Sequence, residues 1–256
     1  MVDRIDGLSS KCMNADTHFD KGFSALSGLI WLPWVGPKYL TRPTESRLLV
    51  VGESHYAKPA SPDQLARVLQ DHIESVTYTR EVVAESLVDN EWTTPTLTAL
   101  PKLITGASDF DRERLWADTS YYNFVQRMMH YNREGGPERP SWDDYVAGWA
   151  TFVDVVRLLR PSHCLFLGLA AVHSFNYAMN HTAGIEHTDV ESTEYVGRAQ
   201  ARKASVTVDG HTTELIFVQH PGKYFSWSRW HGYLATRHAQ LTNWIDEQKY
   251  TGNKEA

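Results

Sequence analysis

The segment Arg47-Leu48-Leu49-Val50-Val51-Gly52-Glu53-Ser54-His55-Tyr56 joins a short apolar run to a glycine and a group of polar side chains. An unbroken apolar run of this length, ended by glycine, indicates a β-strand buried on both faces, as in parallel sheets. Open α/β sheets bind ligands outside the carboxyl ends of such strands. We therefore expect residues 52–56 to form an active-site loop at the end of a central strand.

Predicted strands and helices alternate along the rest of the chain. Aromatic or apolar runs predict strands over residues 119–125, 163–168, 205–208 and 213–218. Asp209-Gly210 is the signature of a hairpin between the last two. Helices are predicted over residues 61–90, 94–105, 141–160, 170–177 and 227–248. This alternation predicts an α/β fold: a three-layer αβα sandwich around a central, mostly parallel four- to five-stranded sheet.

The length and composition fit one domain. The chain has 256 residues, of which 42% are hydrophobic, and this is enough to bury a core. It contains no internal repeat, low-complexity tract or long linker. We expect a single domain over residues 1–256, in which residues 1–46 wrap onto a core at 47–248, and we expect a monomer.

Charge and cysteine content argue against several classes of protein. A net charge of -6 is unlike that of proteins that coat nucleic acid non-specifically, although it is compatible with a local basic groove. Two cysteines, Cys12 and Cys164, cannot supply a four-cysteine iron–sulfur cluster or a cysteine-rich zinc site, and we predict no metal or cofactor. Without a signal-peptide core, an unbroken apolar span or a disulfide framework, the sequence predicts a cytoplasmic protein outside the membrane.

Three polar residues at or after predicted strand ends are candidate catalytic groups. Glu53 can position or activate a water molecule, and the Asn123 amide offers both a donor and an acceptor to the edge of a base. His220 can stabilise negative charge on a leaving group. A structural role stays open for each of them, because each side chain could instead hydrogen-bond the backbone of its own turn or loop.

Basic and aromatic residues follow His220 in the sequence. The stretch Lys223-Tyr224-Phe225-Ser226-Trp227-Ser228-Arg229-Trp230 interleaves cations, hydroxyls and rings. Phosphate groups bind the first two, and an aromatic side chain can be wedged into a base stack. An aromatic helix start is the alternative. Arg198, Arg202 and Lys203 form another basic stretch, which we interpret as a solvated hairpin surface.

Taken in order, these motifs resemble the uracil-DNA glycosylase superfamily over about residues 47–231. That family has a glycine and a polar residue after its first strand, a strand-end asparagine, an Arg-Pro loop, a strand between a proline and a glycine, and a late His-Pro motif. The matching segments here are Gly52 to Tyr56, Asn123-Phe124-Val125-Gln126, Arg139-Pro140, Pro161 to Gly168, and His220-Pro221-Gly222.

The resemblance implies a monofunctional DNA glycosylase, which flips a damaged or modified base out of DNA and hydrolyses its N-glycosidic bond. It implies catalytic roles for Glu53, Asn123 and His220. The residues implied to bind the substrate base are Gly52, Ser54, His55, Tyr56, Phe124 and Gly168. The residues implied to bind DNA are Arg139, Lys223, Tyr224, Phe225 and Ser226.

Departures from the family pattern affect the expected base. Ser54 stands where the uracil-specific enzymes have an aspartate, and the four cluster cysteines of the glutamate-bearing branch are missing. Gly222 replaces the serine that usually follows His-Pro. The candidate substrates are therefore uracil or a modified pyrimidine, including one in phage DNA, and the biological role could be DNA repair or antiviral defence.

Two other functions stay open. Gly-Glu-x-His also opens hydrolases that resemble the erythromycin esterases, in which Glu53 and His55 would act together, or hold a metal with His130 or His220. A binding module of the same fold could also recognise DNA without cleaving it. A metal requirement for activity would favour the first alternative, and DNA binding without strand scission would favour the second.

Overall fold

A computed structural model describes residues 15–57, 67, 70, 75–132, 136–222 and 224–246. The strands in this part of the chain are β1 (Trp34–Val35), β2 (Leu48–Gly52), β3 (His55–Ala57), β4 (Ser120–Asn123), β5 (Met128–Asn132), β6 (Gly136–Pro137), β7 (His163–Leu167), β8 (Ile185–His187), β9 (Glu191–Val196), β10 (Ala199–Val208) and β11 (His211–Val218). The α-helices are α1 (Asp20–Phe23), α2 (Tyr78–Val82), α3 (Pro95–Thr105), α4 (Arg112–Ala117), α5 (Trp142–Leu159), α6 (Val172–Asn180), α7 (Trp227–Arg237) and α8 (Ala239–Asp246).

The main sheet is mixed. Its strand order is β1-β4-β2-β7-β11-β10-β8, and β9 also pairs with β10. The pairings of β2 with β4 and β7, and of β7 with β11, are parallel. The pairings of β1 with β4, and of β10 with β8, β9 and β11, are antiparallel. The prediction of a three-layer sandwich with a mostly parallel four- to five-stranded sheet was wrong, because the described sheet has eight strands and most of its pairings are antiparallel.

The antiparallel part of the sheet grows from one hairpin. Asp209 and Gly210 both have positive φ, 49° and 70°, as a type I′ turn requires, and they join β10 to β11. The predicted hairpin is confirmed. The strand β10 is ten residues long, so its second edge is free to pair with β8 and β9. These two strands are largely solvent-accessible and have no apolar run to predict them.

The predicted central strand is confirmed as β2, which is buried along its whole length. Alternate side chains of β2 enter two different apolar clusters, since successive residues of a strand point to opposite faces. Leu48 and Val50 pack in the cluster that includes residues of α3, α7 and α8. Leu49 and Val51 pack in the cluster that includes residues of α5 and α6. The end of β2 is thereby held firmly between two cores.

The predicted helix at 141–160 is confirmed as α5. Ser141 and Asp144 form a capping box at its start, and Arg160 in the left-handed conformation ends it directly before Pro161. The prediction at 94–105 corresponds to α3, with Pro95 in its first turn. The helix predicted at 170–177 corresponds to α6, which begins and ends later than predicted. The helix predicted at 227–248 is two helices, α7 and α8, which are separated at His238.

The first part of the helix predicted at 61–90 lies largely outside the described residues. Its last part contains α2 and a π-helical segment, Val83–Val88. A second, small sheet covers the end of β2: β3 pairs in parallel with β5, and β5 pairs antiparallel with β6. Within the described part of the chain, no helix is both long enough and apolar enough to cross a bilayer.

Candidate active site

Gly52 and Asn123 lie side by side at the carboxyl ends of β2 and β4. Asn123 is 3% exposed, and its Oδ1 accepts a hydrogen bond of 3.0 Å from the Tyr121 hydroxyl. A Cβ at position 52 would lie 2.1 Å from Asn123 Oδ1 and 2.3 Å from the Tyr121 hydroxyl oxygen. Glycine is therefore required here for close packing, and its contact fixes the orientation of the asparagine amide.

Glu53 is the first residue after β2, and two tyrosines hold its carboxylate. The Tyr145 hydroxyl, from the first turn of α5, donates to Oε1 at 3.0 Å. The Tyr56 hydroxyl donates to Oε2 at 3.4 Å and lies 3.1 Å from the backbone oxygen of Glu138. The carboxylate is half-buried. Its position is thus set by side chains from two separate segments, β3 and α5.

The backbone around Glu53 is also fixed. The N–H groups of Phe124 and Val125 donate to the carbonyls of Gly52 and Glu53, each at 2.9 Å, so the β2–β4 ladder continues past the ends of the strands. Among the described residues, the Glu53 carboxylate accepts two tyrosine hydroxyls and no backbone N–H group, which is unlike a carboxylate that fixes its own turn.

His220 follows β11 and is held in a tight turn. The Gly222 N–H donates to the His220 carbonyl at 2.7 Å, and a Cβ at position 222 would lie 3.3 Å from His220 Nδ1. The side chain is exposed, yet desolvation by the protein around the ring lowers its pKa. Glu53 opposes this lowering and Arg139 adds to it, which places both charges within electrostatic reach of the imidazole.

Arg139 is exposed and faces the same group of side chains. Its positive charge lowers the pKa of Tyr56 and of Tyr145, whereas burial, the largest cause for each, and the charge of Glu53 raise both. The net pKa of each phenol is raised. Both tyrosines are therefore neutral hydroxyl donors to Glu53 at neutral pH.

A small pocket opens beside Glu53. It measures about 240 Å³ out to its open mouth, but the centre of a water molecule fits only in about 10 Å³ of it. That space holds about one water molecule. The pocket is lined by Val51, Gly52, Glu53, Phe124, Tyr145, Phe166, Leu167, Gly168, Ala170 and Ala171.

An arginine ties the loop after β6 to the start of α5. Arg127 donates to both Asp144 oxygens, at 2.6 and 2.8 Å, and to Glu138 Oε1 at 2.8 Å. The hydrogen bond from Arg127, opposed by burial and aided by the Ser141 backbone N–H, lowers the pKa of Asp144 to about 2. This ion-pair network holds Glu138 in place, and the Glu138 backbone oxygen shares the single Tyr56 hydroxyl proton with Glu53 Oε2.

His55 lies away from the carboxylate of Glu53. It is 6% exposed, its Nε2 is 2.8 Å from Thr79 Oγ1, and its ring packs against Trp31 and Tyr78. Because β3 alternates its side chains, Tyr56 turns towards Glu53 while His55 enters the core. The structure thus places His55, predicted to bind substrate, outside the site.

Two of the three remaining predicted base-binding residues line the pocket. Phe124 forms part of its wall and is buried against Trp149 and Phe166. Gly168, with φ +150°, lines it from the end of β7. Ser54 follows Glu53 and is half-buried, with its hydroxyl oxygen inaccessible to solvent.

The predicted DNA-binding residues after His220 differ in their surroundings. Tyr224 is 72% exposed and has a positive φ of 68°. Phe225 stacks on Trp230 at 6.3 Å between ring centroids and packs against the core, so it does not project from the surface. Ser226 precedes α7 without a side-chain capping bond. Lys223 lies outside the described residues.

Sequence reasoning missed Tyr121 and Tyr145. The spacing of Tyr145 fits the apolar face of α5 and by itself indicates only a core residue. A tyrosine on such a face carries a polar hydroxyl that needs a partner, and this was the available signal. Tyr121 lies two residues before Asn123 on the same face of β4, so the period of the strand places the two together.

No model of a known protein family matches the chain, and a search of curated proteins returns no match. Among the described residues, no group of three or more histidine, cysteine, aspartate or glutamate side chains is arranged to hold a metal ion.

Proposed function

We propose that this protein is a DNA glycosylase that flips a damaged or modified base and hydrolyses its N-glycosidic bond. The observation that carries the proposal is the convergence of Glu53, Asn123 and His220. Glu53 and Asn123 come from the ends of paired strands, and His220 lies within electrostatic reach of Glu53. The resemblance of the ordered motifs to the uracil-DNA glycosylase superfamily supports the same reaction.

Glu53 is suited to position the attacking water. Each of its oxygens accepts one tyrosine hydroxyl and keeps a lone pair for a water in the adjoining pocket. The water oxygen would bond to the sugar C1′ as the C1′–N bond breaks. The electron pair of that bond leaves with the base, and the proton of the water passes to the carboxylate.

Asn123 and His220 are suited to the base. Asn123 Oδ1 accepts the Tyr121 hydroxyl, and the amide N–H group can donate to an acceptor on the base such as a carbonyl oxygen. His220, with its lowered pKa, is neutral at pH 7 and can donate one N–H to the departing base anion.

The size of the pocket adds a requirement. It holds a water molecule and is too small for a nucleobase, so the side chains around it must move apart when a base enters. Glu53 and Tyr145 line the pocket from different elements and are joined by one hydrogen bond. We assign the opening to this pair, because a polar contact can exchange with water.

The test is a panel of duplexes that each carry one uracil, hypoxanthine or hydroxymethylcytosine derivative. After incubation, hot alkali converts any abasic site into a strand break. The proposal expects scission at the target position of at least one duplex, without added metal and in the presence of EDTA. Tight binding with no scission on any duplex would favour a non-catalytic binding module, and scission abolished by EDTA would favour a metal-dependent hydrolase.

A further inference from the structure

Three elements meet on the surface next to His220. They are the β9–β10 turn, the loop after Pro221 and the first turn of α7. The guanidinium carbon of Arg198 lies 5.5 Å from the centre of the exposed Tyr224 ring. Arg229 reaches the same turn, since its Nη1 lies 3.8 Å from where a Cβ of Gly197 would be. We call Arg198, Tyr224 and Arg229 the arginine–tyrosine surface.

The turn that carries Arg198 is rigid. Val196 pairs with Ala199, so the turn has only two residues, Gly197 and Arg198. Gly197 has a φ of +67° and Arg198 does not have a positive φ, the pattern of a type II′ hairpin turn. Arg198 is therefore presented from the tip of a tight two-residue turn, and the β9–β10 pairing shifts its register further on, between Gln200 and Arg202.

The two arginines are not neutralised by the protein. Other arginines make ion pairs: Arg80, Arg127, Arg157 and Arg237. Neither Arg198 nor Arg229 forms an ion pair with any residue in the described ranges, and both are exposed. The first turn of α7 contains no acidic side chain. In a protein of net charge -6, this surface is thus a local positive region, to which an anion is attracted.

We propose that the arginine–tyrosine surface binds backbone phosphates of the DNA strand that flanks the target nucleotide, an inference that rests on the proposed glycosylase function. Guanidinium groups bind phosphate in a bidentate manner, and the Tyr224 ring holds Arg198 by a cation–π contact. Tyr224 follows His220 by four residues, so their Cα atoms are at most about 14 Å apart. A DNA strand advances about 3.4 Å per nucleotide, so the phosphates bound lie within about four nucleotides of the target.

The test compares duplex binding as a function of salt concentration. The proteins are wild type, Arg198→Ala, Arg229→Ala and Arg198→Lys, measured by fluorescence anisotropy. Arg114→Ala is the matched control, because Arg114 is also exposed. It lies on α4, the helix that leads into the first residue of β4, whereas Asn123 is the last residue of that strand. The duplex is about two helical turns long with the target base at its centre.

Each alanine variant should bind several-fold more weakly, and the slope of log K against log salt should fall by about one unit. Arg198→Lys should retain the wild-type slope, and Arg114→Ala should bind like wild type. A single neutral methylphosphonate within about four nucleotides of the target should weaken wild type but not Arg198→Ala. Slopes of Arg198→Ala and Arg229→Ala equal to the control would overturn the inference.

The excision rate separates this inference from the proposed function. At saturating protein, both alanine variants should excise the base at the wild-type single-turnover rate, since they act only on binding. If wild type excises a base and the variants bind with unchanged slope, only the arginine–tyrosine surface is rejected. If wild type neither binds nor excises any target of the panel, the glycosylase proposal itself fails and this inference fails with it.

Discussion

Replacing Gly52 by alanine tests the packing that orients Asn123. The added Cβ would lie 2.1 Å from Asn123 Oδ1 and 2.3 Å from the Tyr121 hydroxyl oxygen, whereas non-bonded heavy atoms prefer about 3.5 Å. Each oxygen must therefore retreat by more than about 1 Å. Both side chains are buried at the end of a central strand pair, so the two oxygens cannot simply swing into solvent.

The magnitude follows from two contributions. Overpacking a buried site costs about 1–3 kcal/mol. Loss of the Tyr121–Asn123 hydrogen bond costs about 1 kcal/mol. We expect Gly52→Ala to lower the free energy of unfolding by about 2–4 kcal/mol, measured as a shift of the urea midpoint at an unchanged m-value. A displacement of about 1 Å at Asn123 should lower the single-turnover excision rate by about 100-fold.

Gly232→Ala is the matched control. Gly232 lies inside α7 with open space around it, so alanine there should raise the stability by about 0.5–1 kcal/mol. Adding Tyr121→Phe to Gly52→Ala should recover part of the lost stability, because it removes one of the two crowded oxygens. A Gly52→Ala protein that is as stable as wild type would refute the reasoning.

Three further predictions concern the surroundings of the site and the stability of the fold. Tyr145→Phe removes the 3.0 Å hydroxyl donor to the Glu53 carboxylate and should slow single-turnover excision about tenfold. Tyr56→Phe, whose contact is 3.4 Å, should slow it less, and the reverse order would contradict the assigned geometry. His55→Gln should keep the excision rate within about threefold of wild type, because it disturbs a buried hydrogen bond and not the site. It should lower the free energy of unfolding, measured with urea, by about 1–3 kcal/mol. A loss of activity in a folded protein would return His55 to the site. Burial lowers the pKa of His163, although the charge of Glu214 acts to raise it. Burial acts to raise the pKa of Glu214, but the hydrogen bond from His238 and the charges of His238 and His163 lower it overall. The unfolded state therefore binds more protons than the folded state. The melting temperature should therefore decrease as the pH is lowered past about 6.5, and decrease again as it is lowered past about 4.5. The first decrease should be smaller in His163→Gln. A melting temperature that does not change between pH 7 and pH 4 would exclude this linkage.

Elements with strong local signals were predictable. The apolar run of β2, the helix α5 and the Asp209-Gly210 hairpin are each determined by local residues, and each was predicted. The antiparallel half of the sheet was not predicted. Its strands β8 and β9 are mostly solvent-accessible, and they form because β10 offers a free edge, which is a tertiary effect.

The residues of the candidate site at the strand ends were predictable from the sequence, and the tyrosines that hold them were not. Glu53 and Asn123 follow apolar runs, so the order of strands and loops was enough to place them together. Tyr145 is far away in sequence and joins Glu53 only through the packing of α5 on the sheet. The direction of His55 depends on where β3 begins after the turn, and adjacency to Glu53 in sequence does not show this.

The most direct test of the central claim is the excision rate of Glu53→Gln on the best duplex of the base panel. Glutamine keeps the shape of the side chain but cannot take a proton from water. The account predicts a fall of about 100-fold or more in the single-turnover rate, with unchanged unfolding by urea. Glu45→Gln, an exposed glutamate just before the other end of β2, should excise at the wild-type rate. A wild-type rate in folded Glu53→Gln would contradict the account.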